Sequence, residues 1–322
     1  MIKLSIIIPF KDSEKNILKT LKSIKIHKVN PKSYEVLLIN DFSNNKTLNK
    51  IKKYINNIQN FKLYNSTKNI IGPGHARNLG IKYSSGKYIL FLDSDDCLKK
   101  YSLNKILNKI DMLNDDIFAF GFRVVDLIKN MKRKKRHDLN LMRLNKTEIF
   151  KKYFELSIIP QVISKLFLRE FIIKNKIKFN KGYFEDILFF FKSIYYSNSI
   201  QVNKDIFYIK YNMKNSIVNS ISKEHIFYHF KAYSDIYDFL IQKKINKSNK
   251  QKLKYFYIKG IIGLAAIYIH KVIKSNIIEY KKNRFLKNIY EIYSKILLAS
   301  KIKYVYKTDK DKFVKNFFKI ID

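Results

Sequence analysis

Read as a pattern of apolar and polar positions, the first half of the chain alternates two periods. Leu4–Phe10 (LSIIIPF) is an almost unbroken apolar run, as expected of a parallel strand buried on both faces. Ile17, Leu18, Leu21 and Ile24 then share one helical face, with Ser13 at the position expected of an N-cap. Tyr34–Ile39 reads as a second strand ending at Asn40-Asp41, and Ser43-Asn44-Asn45 opens the next helix. A short strand near Phe61–Tyr64 is followed by Gly72-Pro73-Gly74-His75-Ala76-Arg77-Asn78, a glycine-rich turn entering a third helix. Tyr88–Leu92 is the next strand, with a helix from near Ser102 and a strand over Asp115–Phe122 beyond it. This succession predicts an α/β domain: a Rossmann-like, mostly parallel sheet flanked by helices.

Polar residues recur where these strands end: Asp12, Asn40-Asp41, and Asp93, Asp95 and Asp96 around Ser94. A parallel sheet brings such ends to one edge, where ligands of open α/β sheets bind. The chain carries 26 acidic residues against 65 basic ones, so the acids of Asp93-Ser94-Asp95-Asp96 are out of character. Carboxylates so placed repel one another unless a cation lies between them. Mg²⁺ prefers one or two carboxylates together with phosphate oxygens and water. The other reading is a solvated turn in which Asp95 or Asp96 caps the helix near Ser102. The loop Pro9-Phe10-Lys11-Asp12 has no glycine, which excludes both the dinucleotide fingerprint and the P-loop. Arg77 opposes the dipole of the helix it opens, so it calls for an anionic partner, either a bound diphosphate or an acid of Asp93–Asp96. His75 reads as a loop residue.

Further on, Lys129–His137 is a basic run expected to form a solvated loop, and Glu185-Asp186 precedes an apolar helix just after Gly182. Two acids there either complement the helix dipole or do chemistry. From about Ser222 the pattern is helical over His225–Leu240, Gln251–Ile273, Ile277–Ala299 and Lys312–Ile320, rich in Tyr, Phe, Ile and Lys. The expected division is residues 1–222 and a basic, aromatic-rich helical region, 223–322.

Composition changes this picture in two ways. The 322 residues carry a formal charge of +39, which attracts polyanions, although an AT-rich codon bias accounts for part of the lysine and asparagine. The single cysteine, Cys97, suits a reducing compartment, and neither a signal peptide nor a membrane-length apolar run is expected. No zinc-ligand spacing or nucleic-acid-binding motif occurs, so no specific nucleic acid is expected as partner.

The segments IIIPFKDSEKNI, EVLLINDFSNN, GPGHARNLGIKYSSGKYILFLDSDD and GYFEDILFFF, in that order, resemble family 2 glycosyltransferases of the GT-A fold. The resemblance covers about residues 3–215. It implies an inverting, metal-dependent transfer from a nucleotide-diphosphate sugar, UDP-linked, to a glycan or lipid-linked acceptor, as in capsule or lipooligosaccharide assembly. By it, Pro9, Phe10, Asp12, Asn40, Asp41, Arg77, Asp93 and Ser94 bind the nucleotide sugar. Asp41 accepts the uracil N–H, and Lys11 stands where the family carries an aromatic, leaving Phe10 as the substitute. Asp95 is the direct ligand of Mn²⁺ or Mg²⁺, with Asp93 beside it nearer the ribose or sugar. Asp186 is the general base, and Glu185 orients it or the acceptor. The implied location is cytoplasmic, peripheral on the inner membrane face, where the lysine-dense end would meet anionic lipid. Two other classes remain: a nucleotidyltransferase of related fold, against which the glycine-free loop argues, and a non-catalytic polyanion-binding protein, which leaves the ordered strand-end residues unexplained.

Overall fold

The computed structural model describes residues 1–26, 29–127, 131–135, 142–144, 161–212 and isolated positions between 224 and 243. The chain forms two compact units, Met1–Ser216 and Ile217–Asp322. The first opens with β1 (Leu4–Phe10), α1 (Ile17–Lys25), β2 (Tyr34–Asn40), α2 (Asn45–Ile55), β3 (Phe61–Asn65), α3 (Gly74–Tyr83) and β4 (Tyr88–Phe91). It continues through β5 (Cys97–Leu98), α4 (Ser102–Ile110), β6 (Ile117–Asp126), β7 (Met131–Lys135) and β8 (Met142–Leu144). The last described elements of this unit are β9 (Lys165–Leu168), α5 (Arg169–Lys174), α6 (Glu185–Tyr196) and β10 (Ile200–Asn212).

Among the described residues a single sheet runs β3-β2-β1-β4-β9-β6-β10-β5, with β7 on β6 and β8 on β10. Its first four strands are parallel, and β9 enters antiparallel between β4 and β6. β1, β2 and β4 are buried along their whole length, which is why they read as near-continuous apolar runs, interrupted inside by Ser5 and Glu35, rather than alternating ones. α1 buries Ile17, Leu21 and Ile24 in the core that also takes Leu103, Ile106 and Ile110 of α4. Each such side chain stabilises by about 1.5–3 kcal/mol, more than a typical cap, so the apolar face holds α1 in place.

The strand order changes direction at β1: β2 and β3 lie on one side, β4 on the other. β1 and β4 stay paired only as far as Ile7 and Phe91, with one further bond from Leu92 N–H to the Ile7 carbonyl. Beyond it the strands part, opening the crevice in which α/β sheets bind ligands. Pro9 sits in that parted stretch, still in register with Ile39 of β2.

Three sequence expectations are corrected. Ser13 does not cap α1 with its hydroxyl; its carbonyl accepts from Asn16 and Ile17 N–H, while Oγ donates to the Lys11 carbonyl. Within Lys129–His137, Met131–Lys135 is a strand paired antiparallel with β6, because the Ile117–Asp126 edge offers it backbone partners that a charge count does not reveal. Neither Asp95 nor Asp96 caps the helix at Ser102, since β5 intervenes. In the second unit the described positions from 224 to 242 are helical, Ala232, Ile236 and Phe239 are buried, and Lys231 pairs with Asp235 at 2.8 Å. The helices expected over Gln251–Ile273, Ile277–Ala299 and Lys312–Ile320 lie outside the described residues. No described helix is long and apolar enough to cross a membrane.

Candidate active site

Three close approaches bring α3 and α6 to the crevice. Gly80 lies on β1, where an added Cβ would stand 2.3 Å from Ile7 Cγ2, so only glycine lets α3 pack this close. Gly72, at φ +85, lies against the backbone of Gly182, whose N–H donates to the Ile71 carbonyl at 2.7 Å. Asn78 then exchanges two hydrogen bonds of 2.9 Å with the Phe179 backbone. Phe179 in turn stacks on Phe189 of α6 at 3.8 Å and meets Phe91 of β4 edge-on at 5.2 Å. The start of α6 is thereby fixed beside the end of β4.

At that junction Arg77 is buried between two acids. Its Nη2 donates to Asp93 Oδ1 at 2.7 Å and its Nη1 to Glu185 Oε1, while Nε has no protein partner among the described residues. Burial alone would lower the guanidinium pKa, but Asp93, Glu185 and Asp186 raise it above its ordinary value, so the charge is permanent. Asp93 is an acid of the group expected to partner Arg77, whereas Glu185 was not among those expected. Burial pushes the Glu185 carboxyl up, with Arg77 pulling against it. Asp186, next along, keeps partial exposure; its carboxyl is raised by burial and drawn back by Arg77 and Lys210.

The acids after β4 have different surroundings. Asp96 is buried: Oδ2 accepts from the Tyr208 hydroxyl at 2.6 Å and Oδ1 from Tyr211 N–H at 2.8 Å. Tyr208 Oη also accepts from Asp93 N–H at 3.2 Å. Asp93 and Asp95 remain partly exposed, and among the described residues no side chain other than Arg77 donates to either carboxylate. Burial and the neighbouring Asp93 hold the Asp95 carboxyl up at about 6. Among the described residues no three His, Cys, Asp or Glu side chains converge to hold a metal by themselves. Asp95, to which no described side chain donates, and Asp93, whose side-chain donor among the described residues is Arg77, nonetheless fit a Mn²⁺ or Mg²⁺ that takes its other ligands from phosphate and water. Ser94 faces Ser13, Oγ to Oγ at 2.8 Å, and its carbonyl accepts from Thr20 at 2.9 Å.

Across the crevice, Asp41 is buried with Oδ1 unpartnered among the described residues, its carboxyl raised by burial against the pull of Lys11 and His75. It can accept a donor from a ligand. Asn40 is committed to the fold, donating to Asn65 Oδ1 at 3.0 Å and accepting from Ser43 N–H at 2.9 Å. Asp12 is likewise engaged, accepting from Asn44 N–H at 2.8 Å at a left-handed corner. Phe10 is 2% exposed and part of the core, so it is not available to stack on a base. Phe42, directly after Asp41, is a large apolar side chain that is exposed. Tyr208 and Lys210 also belong to the site region and were not singled out from sequence. They sit on β10, far along the chain, and no local spacing connects them to the acids.

Comparison with known proteins agrees with this geometry. Residues 5–174 match glycosyl transferase family 2. Over 126 residues the chain is 33% identical to the poly(ribitol-phosphate) β-N-acetylglucosaminyltransferase TarS of Staphylococcus aureus, covering 39% of this chain and 22% of TarS. Over 232 residues it is 28% identical to the cholesterol galactosyltransferase of Borreliella burgdorferi, covering 69% of this chain and 64% of that one. The chain thus spans about a fifth of the length of TarS and under two thirds of the galactosyltransferase. The crystal structure of S. aureus TarS 1-349 in complex with UDP-GlcNAc superimposes with a TM-score of 0.65 at 22% identity, covering 80% of this chain and 72% of that one, which establishes a GT-A-like fold. With its crevice between β1 and β4, its strand-end acids and its matched residues, the chain belongs to glycosyl transferase family 2.

Proposed function

We propose that the protein moves a sugar, with inversion at the anomeric carbon, from a UDP-sugar to a hydroxyl of a glycan or lipid-linked acceptor in surface polysaccharide synthesis. The observation that carries this reading is the Arg77 bridge. It ties Asp93, on the donor side, to Glu185, one residue before the Asp186 base, in one buried contact. Asp186 accepts the acceptor's hydroxyl proton as the new C–O bond forms and the bond to the diphosphate breaks. Its raised carboxyl and partial exposure suit a base that works near neutral pH and is reached from solvent. The unpartnered Asp41 oxygen offers an acceptor for a uracil N–H. Asp95 and Asp93 would hold a Mn²⁺ or Mg²⁺ ion, which when bound neutralises charge on the departing diphosphate. Relatives named for a ribitol-phosphate polymer and for a sterol support an anionic or lipid-borne acceptor, as does the +39 charge.

A screen of nucleotide sugars for release of nucleotide and for thermal stabilisation, with and without Mn²⁺, tests this. UDP and at least one UDP-sugar should stabilise the protein, more so with metal. Indifference to every uridine nucleotide would overturn it.

A further inference from the structure

The carboxylates of Asp93, Asp95 and Asp96 repel one another, so the turn that carries them must be held in shape by the rest of the fold. The turn is closed by its own bond, from Asp96 N–H to the Asp93 carbonyl at 3.1 Å. Its middle is held from α1 and the loop before it: Ser94 Oγ meets Ser13 Oγ at 2.8 Å, and Thr20 Oγ1 donates to the Ser94 carbonyl at 2.9 Å. Its two ends meet at one atom, the phenolic oxygen of Tyr208. That oxygen donates to Asp96 Oδ2 at 2.6 Å and accepts from Asp93 N–H at 3.2 Å. Tyr208 is fully buried, and its backbone lies between two strands, in register with Leu98 of β5 and Phe122 of β6. A side chain so enclosed is a rigid support for the turn.

We propose that Tyr208 is a positioning residue for the cation: by bonding the Asp96 carboxylate and the Asp93 backbone with one hydroxyl, it fixes the turn from which Asp93 and Asp95 present their carboxylates to Mn²⁺ or Mg²⁺. The inference rests on the assignment of the metal to Asp95 and Asp93. Tyr208 acts through the turn and not by touching the ion. It also takes up the third acid, since Asp96 Oδ2 accepts the phenolic proton while Oδ1 accepts from Tyr211 N–H at 2.8 Å. Groups that orient the ligands of a metal matter nearly as much as the ligands, and losing one typically costs about 10–100-fold in metal affinity. Tyr208→Phe removes the bond to Asp96 and the bond to Asp93 together, with no change of charge and almost none of shape.

The test is a Mn²⁺ titration of UDP binding, followed by calorimetry on the full chain, for the parent, Tyr208→Phe and Glu35→Gln. Glu35 is a buried carboxylate bonded to Ser5, Ser85 and Lys62, so its variant loses stability without touching the turn. In Tyr208→Phe the Mn²⁺ concentration that half-maximally enhances UDP binding should rise about 10-fold or more, with metal-free UDP affinity at the parental value. Glu35→Gln should keep the parental Mn²⁺ requirement. A tyrosine that only fills the core lowers the urea midpoint and leaves the Mn²⁺ requirement parental, and that result overturns the proposal. An equal loss of UDP affinity with and without Mn²⁺ overturns it as well. If Tyr208→Phe folds too weakly to titrate, the series is run in sucrose, which favours the compact state of every variant. A parent that gains no UDP affinity from Mn²⁺ sinks the metal assignment and the role of Tyr208 with it. A metal-dependent parent with an unaltered Tyr208→Phe sinks the role of Tyr208 alone.

Discussion

Tyr208 donates its hydroxyl to Asp96 Oδ2 at 2.6 Å, and this pair gives the adjacent acids Asp95 and Asp96 different work. Asp96 is spent on anchoring the turn after β4 to β10, through Tyr208 and the Tyr211 N–H. Asp95 stays partly exposed, and no described side chain donates to it. Tyr208→Phe removes one donor from a buried carboxylate and should cost about 1–3 kcal/mol in a urea melt. An unchanged midpoint would show that the pair carries no load.

Asp95→Ala should leave the melting temperature nearly unchanged and abolish the Mn²⁺-dependent part of UDP affinity. Calorimetric titration with and without metal reads this directly. Equal UDP affinity in the parent with and without Mn²⁺ would remove the metal from the proposal.

Asp186→Asn keeps the shape of the side chain but cannot take a proton, so transfer should fall by roughly 10²–10⁴-fold with UDP affinity little changed. Glu185→Gln should behave differently, because it leaves the buried Arg77 short of a charge partner. Breaking a buried pair costs about 3–5 kcal/mol, so this variant should lose stability as well as activity. Normal turnover in Asp186→Asn would reverse the assignment.

Glu35 gives a pH dependence far from the site. Its carboxylate is 1% exposed and accepts from Ser85 N–H and Oγ, Ser5 Oγ and Lys62. Burial raises its pKa, but these donors outweigh burial and hold it below the ordinary 4.5. A depressed carboxylate stabilises above its unfolded pKa, and that contribution is lost as pH falls through the folded value. Glu35→Gln should therefore be destabilised relative to the parent at pH 7, with the gap closing on acidification below about pH 4. A gap of constant size from pH 7 to pH 3 would contradict this.

The lysine-dense residues from Gln251 onward lie outside the described structure, and we propose that they dock the protein on anionic lipid. Each lysine near such a surface contributes about 1 kcal/mol, so four or five facing one way suffice for reversible attachment. Sedimentation should show binding to anionic but not neutral vesicles, lost in high salt. A folded full-length protein that ignores anionic vesicles at low salt would end the idea.

The order of strands and helices was legible in the sequence because it rests on local periodicity. Leu4–Phe10, Tyr34–Asn40 and Tyr88–Phe91 are largely apolar since each is covered on both faces, and the polar residues at their ends mark the edge where they converge. The opening of the second helix at Ser43-Asn44-Asn45 was readable for the same reason: it is local, the Asn44 side chain accepting from Thr47 N–H, three residues away. Which polar residue is spent on the fold and which is left for chemistry depended on partners distant in sequence. Asp96 is satisfied by Tyr208 across 112 residues and Arg77 by Glu185 across 108. Phe10 and Lys165 are enclosed by segments from elsewhere in the chain. Periodicity tells a residue only about its own face of its own element. The partner that neutralises a charge, or the core that swallows a ring, exists only once the sheet has brought remote strands together.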